Sequence, residues 1–454
     1  MLRHWTAILV LPAALLLAGS LAAADPLVVL RRADGAPERY AGSVVEGKVL
    51  IPQYYRPRAA EMRGVWIATV ENIDFPVQTS AAGFQTAVRT MFRQIRARRF
   101  NAVFFQVRPC NDAFYPSNLN PYSKFLSGKE GVPLAGQGDP LAIAVREAHA
   151  QGMEFHAWLN PYRVVNRTKL SKLRYLATLA PNNFARRNPH LVLDAPLPDG
   201  GRLLFLNPGE PEVVRHVART VREIAERYRV DGIVFDDYFY PYTDIGSIDA
   251  PTYVRNNPYR LSRQDWRTAN VTALIREVRR TLDEHQRKSG RKVAFGISPF
   301  GIWANHKDRK EGSWTAGKSS LLVQHADTRE WVKKQYIDYI IPQIYWPFCH
   351  DKAAYAALVD WWAAQVRGTR VRLYIGMSPY RLGERQWETP QELFNQLRYN
   401  LKHQEIKGQV FYSCRSVLQP GNPVMKGAMD LLPKFYWRTS VPVQPPPVRY
   451  PPLR

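Results

Sequence analysis

From Glu61 to about residue 430, short apolar segments alternate with amphipathic ones eight times over. The apolar segments span 62–70, 102–108, 154–160, 232–236, 293–298, 339–345, 371–377 and 409–413. Between them, residues 84–99, 141–151, 211–228, 264–288, 328–335, 355–366 and 391–403 carry apolar side chains at three- and four-residue steps, as in Val213, Val217, Val221 and Ile224. Eight strands each followed by a helix predict an α/β fold, a (β/α)8 TIM barrel. An open doubly wound sheet is the competing arrangement, but no glycine-rich phosphate loop follows any strand.

The flanks set the domain boundaries. In residues 1–24, Arg3 and His4 precede an apolar run, and Ala22, Ala23 and Ala24 supply a small-x-small cleavage site, the pattern of a secretory signal peptide. That segment holds no cysteine for lipid attachment, and no later segment is apolar for long enough to cross a membrane. The mature chain is therefore expected to be periplasmic or secreted. Residues 25–60 read as an N-terminal extension, with short strands at 28–30 and 44–51 around a turn at 33–37. The barrel domain is assigned to 61–438. Residues 439–454 read as a disordered tail, because 441–454 hold six prolines and no periodic pattern.

Lysine and arginine outnumber acidic residues 63 to 39, and losing Arg3 with the signal leaves a net charge of +23. Such an excess favours anionic partners. For an exported chain these are an acidic polymer such as peptidoglycan, or a lipopolysaccharide surface, with envelope or division proteins as neighbours, rather than nucleic acid. Many arginines fall at helical spacing (Arg215, Arg219, Arg222; Arg276, Arg279, Arg280) and read as solvated helix surface, so charge points only weakly. The cysteines Cys110, Cys349 and Cys414 are too few for a disulfide scaffold and odd in number. They read as three small buried residues, although one disulfide also fits the count. No histidine or cysteine spacing suggests a metal site, and no cofactor is expected.

The chemistry concentrates in residues 231–241, DGIVFDDYFYP. Alternation along a strand places Gly232, Val234 and Asp236 on one face and Ile233, Phe235 and Asp237 on the other. A narrow barrel interior takes Gly and Val, so Asp236 points to the axis at the barrel mouth. Asp237 starts on the outer face and joins only if the chain bends. Polar residues collect where the other strands end: Glu71, Asn72 and Asp74; Gln106, Arg108, Asn111 and Asp112; Asn160 and Arg163; Ser298; Gln343; and Ser378 and Arg381. Interleaved with them are Trp158, Tyr162, Tyr238, Tyr240, Trp303, Tyr345, Trp346 and Tyr380. Flat rings suit the C–H faces of sugars, and amide and guanidinium groups suit their hydroxyls. The set reads as a saccharide cleft walled by the long segments 162–203 and 241–261.

Seven stretches, 64–76 (GVWIATVENIDFP), 104–117, 155–164 (FHAWLNPYRV), 231–241, 295–303 (FGISPFGIW), 338–348 and 373–381, together resemble the glycosyl-hydrolase-like family 10. The resemblance covers about residues 60–430. It implies an exported TIM-barrel glycan hydrolase whose substrate class includes peptidoglycan strands stripped of stem peptides. It places Asp236 on the family's acidic position, and Asn160, Arg163, Gln343 and Tyr345 on other polar motif positions. Lipoprotein members carry a cysteine after the signal, which this chain lacks, so membrane anchoring is not expected.

Glycoside hydrolysis usually needs two carboxyl groups. Asp236 is the first choice for nucleophile or base, kept ionised by Arg108 or Arg163. The proton donor is left between Asp237, Asp112 and Glu71. A substrate-assisted route, in which the sugar's N-acetyl group attacks and Asp236 and Asp237 act as a pair, needs no distant acid. Arg108, Trp158, Asn160, Tyr162, Arg163, Tyr238, Tyr240, Gln343, Tyr345, Trp346 and Tyr380 are the expected substrate-binding residues. Two other readings stand beside this one, a catalytically silent saccharide-binding barrel of the envelope and a hydrolase of another polysaccharide.

Overall fold

A computed structural model describes residues 25–444 of the chain; the expected signal peptide and residues 445–454 of the expected tail lie outside the described residues. Eight strands form the centre: β1 (Met62–Ile67), β2 (Ala102–Arg108), β3 (Glu154–Leu159), β4 (Gly232–Phe235), β5 (Ala294–Ile297), β6 (Tyr339–Ile340), β7 (Arg372–Met377) and β8 (Ile406–Phe411). Each pairs in parallel with the next, and β8 returns to β1, Gly408 opposite Met62, to close the barrel. The expected TIM barrel is therefore the fold. β6 is shorter than its apolar run because Pro342 has no N–H to give the ladder. The chain nevertheless keeps the path, and Gln343 bridges to both Phe300 and Gly376.

Helices α1 (Ala81–Ala97), α2 (Pro140–Ala150), α3 (Pro211–Arg227), α4 (Arg263–Ser289), α5 (Thr328–Lys333), α6 (Tyr355–Val366) and α7 (Gln391–Asn400) alternate with the strands, and α8 (Pro423–Leu431) follows β8. Their starts are written in the sequence. Ser80 accepts from Gly83 N (3.1 Å) before α1, and Asp139 accepts from Leu141 N (3.0 Å) before α2, whose first residue is Pro140. Val213, Val217, Val221 and Ile224 of α3 are buried in one layer with the outward strand residues Val65, Ile67, Ile233, Phe235, Phe295 and Ile297.

The inward residues build a second, smaller core: Met62, Trp66, Phe104, Trp158, Val234, Tyr339, Tyr374 and Val410 among them. Near the N-terminal ends of the strands this core is a stack of rings. His156 lies flat on Phe104 (4.5 Å between centroids, 17° apart) and shares a hydrogen bond with Tyr339 Oη (2.8 Å). Room for these rings comes from glycines on neighbouring strands. A Cβ at Gly64 would fall on the Phe104 ring, one at Gly232 on His156, and one at Gly296 on Tyr339.

The strand base is closed by the start of the expected tail. Arg63 Nη1 donates to Thr439 O (2.7 Å), Asn101 Nδ2 to Val441 O (3.0 Å) and Glu61 N to Pro442 O (3.0 Å), while Val443 packs on the inner core. Residues 439–443 are thus held in place by donors at the strand base rather than disordered. The N-terminal extension contributes one antiparallel pair, Leu27–Val29 with Leu50–Pro52, so most of the expected 44–51 strand is irregular. The long segment after β3 is itself folded, into a three-stranded antiparallel sheet of Arg163–Thr168, Arg202–Leu206 and Val192–Pro196. No helix of the described residues is long and apolar enough to cross a membrane.

The three cysteines are unpaired. Cys414 is buried, as expected, but Cys110 and Cys349 are only half-buried, because each lies in a loop after a strand rather than in the core.

The ring-over-glycine packing is testable. Gly296→Ala forces a methyl group into the Tyr339 ring and is expected to destabilise the fold by about 3 kcal/mol, read as a lowered midpoint in urea unfolding with an unchanged slope.

Candidate active site

β4 ends at Phe235, and the chain turns at once. Tyr238 N donates back to Asp236 Oδ1 (3.2 Å), and Phe239 N donates to Asp237 O (3.0 Å). This turn is the bend that Asp237 needs. It ends the strict alternation one residue past the strand, so both carboxylates stand at the mouth, 4 % and 5 % exposed.

Their surroundings differ. Asp236 accepts from Trp158 Nε1 (2.9 Å), from Asn160 Nδ2 at both oxygens (3.1 Å each) and from Tyr238 N. Every partner is a donor, which suits a carboxylate. Burial raises the proton affinity of Asp236, and the Arg163 guanidinium, Trp158 and Asn160 oppose it. Asp237 accepts from Tyr242 Oη (2.6 Å), with the Gln343 amide as a further donor. Burial, and then the neighbouring Asp236 charge, push its carboxyl up to about 7. Both carboxyls are thus raised, but only Asp237 is raised further by its neighbour's charge, while Asp236 is opposed by a guanidinium.

The residues expected to bind substrate fall into two groups. Tyr238, Gln343, Tyr345, Trp346 and Tyr380 reach the open mouth: the first four are half-buried and Tyr380 is 38 % exposed. Tyr345 and Tyr380 meet edge to face with centroids 6.1 Å apart. Arg163 lies over the Tyr238 ring (4.1 Å) and beside Asp236, so it rather than Arg108 supplies the expected positive charge.

The second group serves the structure that holds Asp236. Arg108 is fully buried and donates to Asn160 O (2.6 Å), Pro161 O and Asn111 Oδ1, with no contact to Asp236. Asn160 has both ends engaged, donating to Asp236 and accepting from Arg163 N (2.8 Å). Trp158 is buried edge-on to Trp66 (5.0 Å, 76°) and presents only its N–H to the site. Tyr162 and Tyr240 are core residues, fully enclosed by Phe239 and by Phe205 with His325 respectively, and Trp303 is buried with its N–H on Asp327 (2.9 Å). A ring against the core has no face left for a sugar.

The alternative proton donors are not brought to the pair. Asp112 is buried in its own loop, accepting from Cys110 N (2.8 Å) and Ser123. Glu71 is exposed on a left-handed turn (φ 53°) with Asn166 Nδ2 at 3.4 Å. Asp74 is spent on Ala68 N (2.7 Å), Ser413 Oγ (2.6 Å) and Arg415 N (2.8 Å), which tie the β1 and β8 loops together.

Three mouth residues escape the sequence reading. Tyr242 sits one residue beyond the DGIVFDDYFYP stretch and stacks between Tyr238 (4.6 Å) and Phe300 (5.1 Å). Tyr412, one residue past β8, completes a cluster with Tyr345 and Tyr380 (6.1 Å each). Its signal in the sequence is its place at the end of the expected strand 409–413, where a barrel collects its site residues.

The family model described as glycosyl hydrolase-like 10 matches residues 61–392. The chain is 35 % identical to glycosyl hydrolase YngK of Bacillus subtilis over 392 residues, covering 84 % of this chain and 74 % of that protein. It is 38 % identical to glycosyl hydrolase DigH of Escherichia coli K12 over 373 residues, covering 77 % and 82 %. Among solved structures it is similar to the PgaB (BpsB) glycoside hydrolase domain from Bordetella bronchiseptica, at 14 % identity, 82 % and 99 % coverage and a TM-score of 0.49.

Because Asp237 holds its proton to about pH 7 when folded but releases it near 4 when unfolded, the folded state binds the extra proton. Stability therefore declines as pH rises from about 4 toward 7. Asp237→Asn removes that decline, and is expected to stabilise the chain by roughly 2 kcal/mol at pH 8 while changing little at pH 4, measured by urea unfolding at both values.

Proposed function

The chain belongs to the glycosyl hydrolase-like 10 family and is a glycoside hydrolase, and from that premise we propose that Asp236 and Asp237 are its catalytic pair. The different surroundings of the two carboxyls, a guanidinium and several donors at Asp236 against a neighbouring carboxylate at Asp237, are the observation that supports this most directly. Asp237, protonated up to about pH 7, is the general acid that gives its proton to the leaving glycosidic oxygen. Asp236, surrounded by donors and next to Arg163, is the ionised partner.

Carboxyls on consecutive residues approach a sugar from one side, whereas a nucleophile and an acid of the usual double displacement flank the bond. This favours the substrate-assisted route. The carbonyl oxygen of the sugar's 2-acetamido group attacks the anomeric carbon as the glycosidic bond breaks, and Asp237 protonates the departing oxygen. Asp236 accepts from the acetamido N–H and stabilises the positive charge that develops there. Water then opens the cyclic intermediate, returning its proton to Asp237. The half-buried rings of Tyr238, Tyr242, Phe300, Tyr345 and Tyr412, with the exposed Tyr380, are the surfaces proposed to meet sugar faces.

The substrate we propose is an N-acetylated cell-wall polysaccharide, peptidoglycan strands without stem peptides, met by an exported chain in the periplasm or outside the cell. The expected signal peptide, the excess of basic residues and the acetamido requirement support this. The test incubates the chain without residues 1–24, and its Asp236→Asn variant, with intact and with peptide-stripped sacculi, reading released sugars by mass spectrometry. Reducing saccharides from stripped strands, reduced about 10³-fold in the variant, are expected. Equal cleavage of a glycan lacking acetamido groups would sink the substrate-assisted route. Absence of release, with both proteins pelleting with sacculi, would favour a binding role there.

The pair also predicts a bell-shaped pH–rate profile. Activity falls below the pH at which Asp236 takes up a proton, and falls again as Asp237 loses its own near 7. Tyr242 donates to the ionised form of Asp237, so Tyr242→Phe should move the alkaline limb upward by roughly one pH unit.

A further inference from the structure

Tyr242 has a second neighbourhood. While its hydroxyl donates to Asp237, the residue also forms part of the wall of a cavity of about 440 Å³, together with Tyr240, Thr243, Arg267, Lys318 and His325. The catalytic reading makes no use of this cavity.

Its lining is unusual in one respect. Buried polar groups in folded proteins almost always find partners. Here the Tyr240 hydroxyl (1 % exposed) and His325 Nδ1 (5 % exposed) have none among the described residues. The same is true of both amide atoms of the adjoining Gln324, which is fully buried. Gln324 and His325 follow directly on the short helix Ser320–Val323, and His325 takes a left-handed backbone (φ 53°). Tyr240 is held to this turn, its N–H donating to Gln324 O (3.4 Å) and its ring edge-on to His325 (4.8 Å). Tyr240 and His325 therefore line the cavity from two loops with polar atoms that have no internal use, Gln324 standing next to His325 in the chain.

The chemistry of these groups restricts the ligand. A phenol and a neutral imidazole each offer both a donor and an acceptor. Burial and the nearby Arg267 pull His325 down to about 4, so the ring is neutral at working pH. Arg267 itself is engaged by Asp249 through two bonds of 2.7 Å, which cancels its charge. Among the described residues, the charges left in this wall are those of the exposed Lys318 and the exposed Asp244, opposite in sign. A site so built suits an uncharged molecule dense in both donors and acceptors, and a volume of this size is in the range of small-molecule pockets.

We propose that this cavity is a saccharide subsite, taking a hydroxyl- and amide-bearing sugar ring further along the same glycan that is cut at Asp236 and Asp237. The assignment rests on the hydrolase reading above for its choice of ligand. Tyr242 connects the two sites, with its hydroxyl on the acid and its residue in the subsite wall.

The test measures equilibrium binding of size-fractionated, peptide-free glycan fragments to the chain bearing Asp237→Asn, which keeps the ligand intact. Affinity is expected to rise in a step at the length that first reaches the cavity. Adding Tyr240→Phe, which deletes only a hydroxyl with no protein partner, should lower affinity about tenfold beyond that length. Thr243→Trp, which fills the cavity from its half-buried wall, should abolish the step. Equal affinities in all three chains at every length would overturn the subsite, even if the unmodified enzyme hydrolyses glycan normally. A step cancelled by both variants, with no hydrolysis by the unmodified enzyme, would uphold the subsite and overturn the catalytic reading. Failure to bind at any length would overturn both.

Discussion

The burial of Asp236 is the constraint on which the barrel mouth depends. A carboxylate taken out of water needs donors or a proton, and either choice costs stability unless partners are fixed in advance. Trp158 and Asn160, both on inward positions of the β3 line, supply the donors. Neither is free to move. Trp158 is wedged against Trp66, and the Asn160 carbonyl is gripped by Arg108, which spends a whole buried guanidinium on that loop. Arg163 then approaches Asp236 because its own N–H is held by Asn160 Oδ1. One buried charge thus accounts for why the β2 and β3 loops carry so much buried polarity.

The two ends of the barrel follow from one packing problem. Eight strands enclose a space that side chains must fill, and here the lower end is filled by Phe104, His156, Tyr339 and Tyr374 over glycines. Residues 439–443 then cover the base. With that end sealed, the inward positions at the other end, Asp236, Asn160, Ser298, Gln343 and Tyr412, are the ones left to be polar, and Gln343 and Tyr412 are half-buried there.

Much of this was legible in the sequence because it depends on short-range rules. The strand and helix periods, the Ser80 and Asp139 caps, and the alternation that turns Asp236 inward each need only a few consecutive residues. Asp236 beside Arg163 was likewise readable, since both follow from strand ends. What was not legible depends on tertiary neighbours. Trp158, Tyr162 and Tyr240 stand next to polar groups just as Tyr238 and Tyr345 do, and only the packing of Trp66, Phe239 and Phe205 decides which rings are enclosed. Arg108 looked like a substrate contact because a buried arginine holding backbone carbonyls leaves no mark in composition. Asp112 and Asp74 are the same case for carboxylates: their donors, Cys110 N and Arg415 N, are backbone groups that any residue would carry.

The charge excess deserves the same treatment. Many of its arginines are used internally: Arg63 with Glu61, Arg267 with Asp249, and Arg279 with Asp338 are buried pairs, and Arg89 with Glu147 and Arg222 with Glu284 join helices across the outer ring. Around Asp236 and Asp237, among the described residues, the cation that acts most on the carboxyls is Arg163, itself covered by Tyr238. A second guanidinium at that distance would lower the proton affinity of Asp237 as well as that of Asp236, and the contrast between the two carboxyls would be lost. The site therefore depends on how few of the chain's positive charges reach it. The aromatic rings at the mouth, which carry no net charge, leave that contrast intact while offering sugars a surface to lie against.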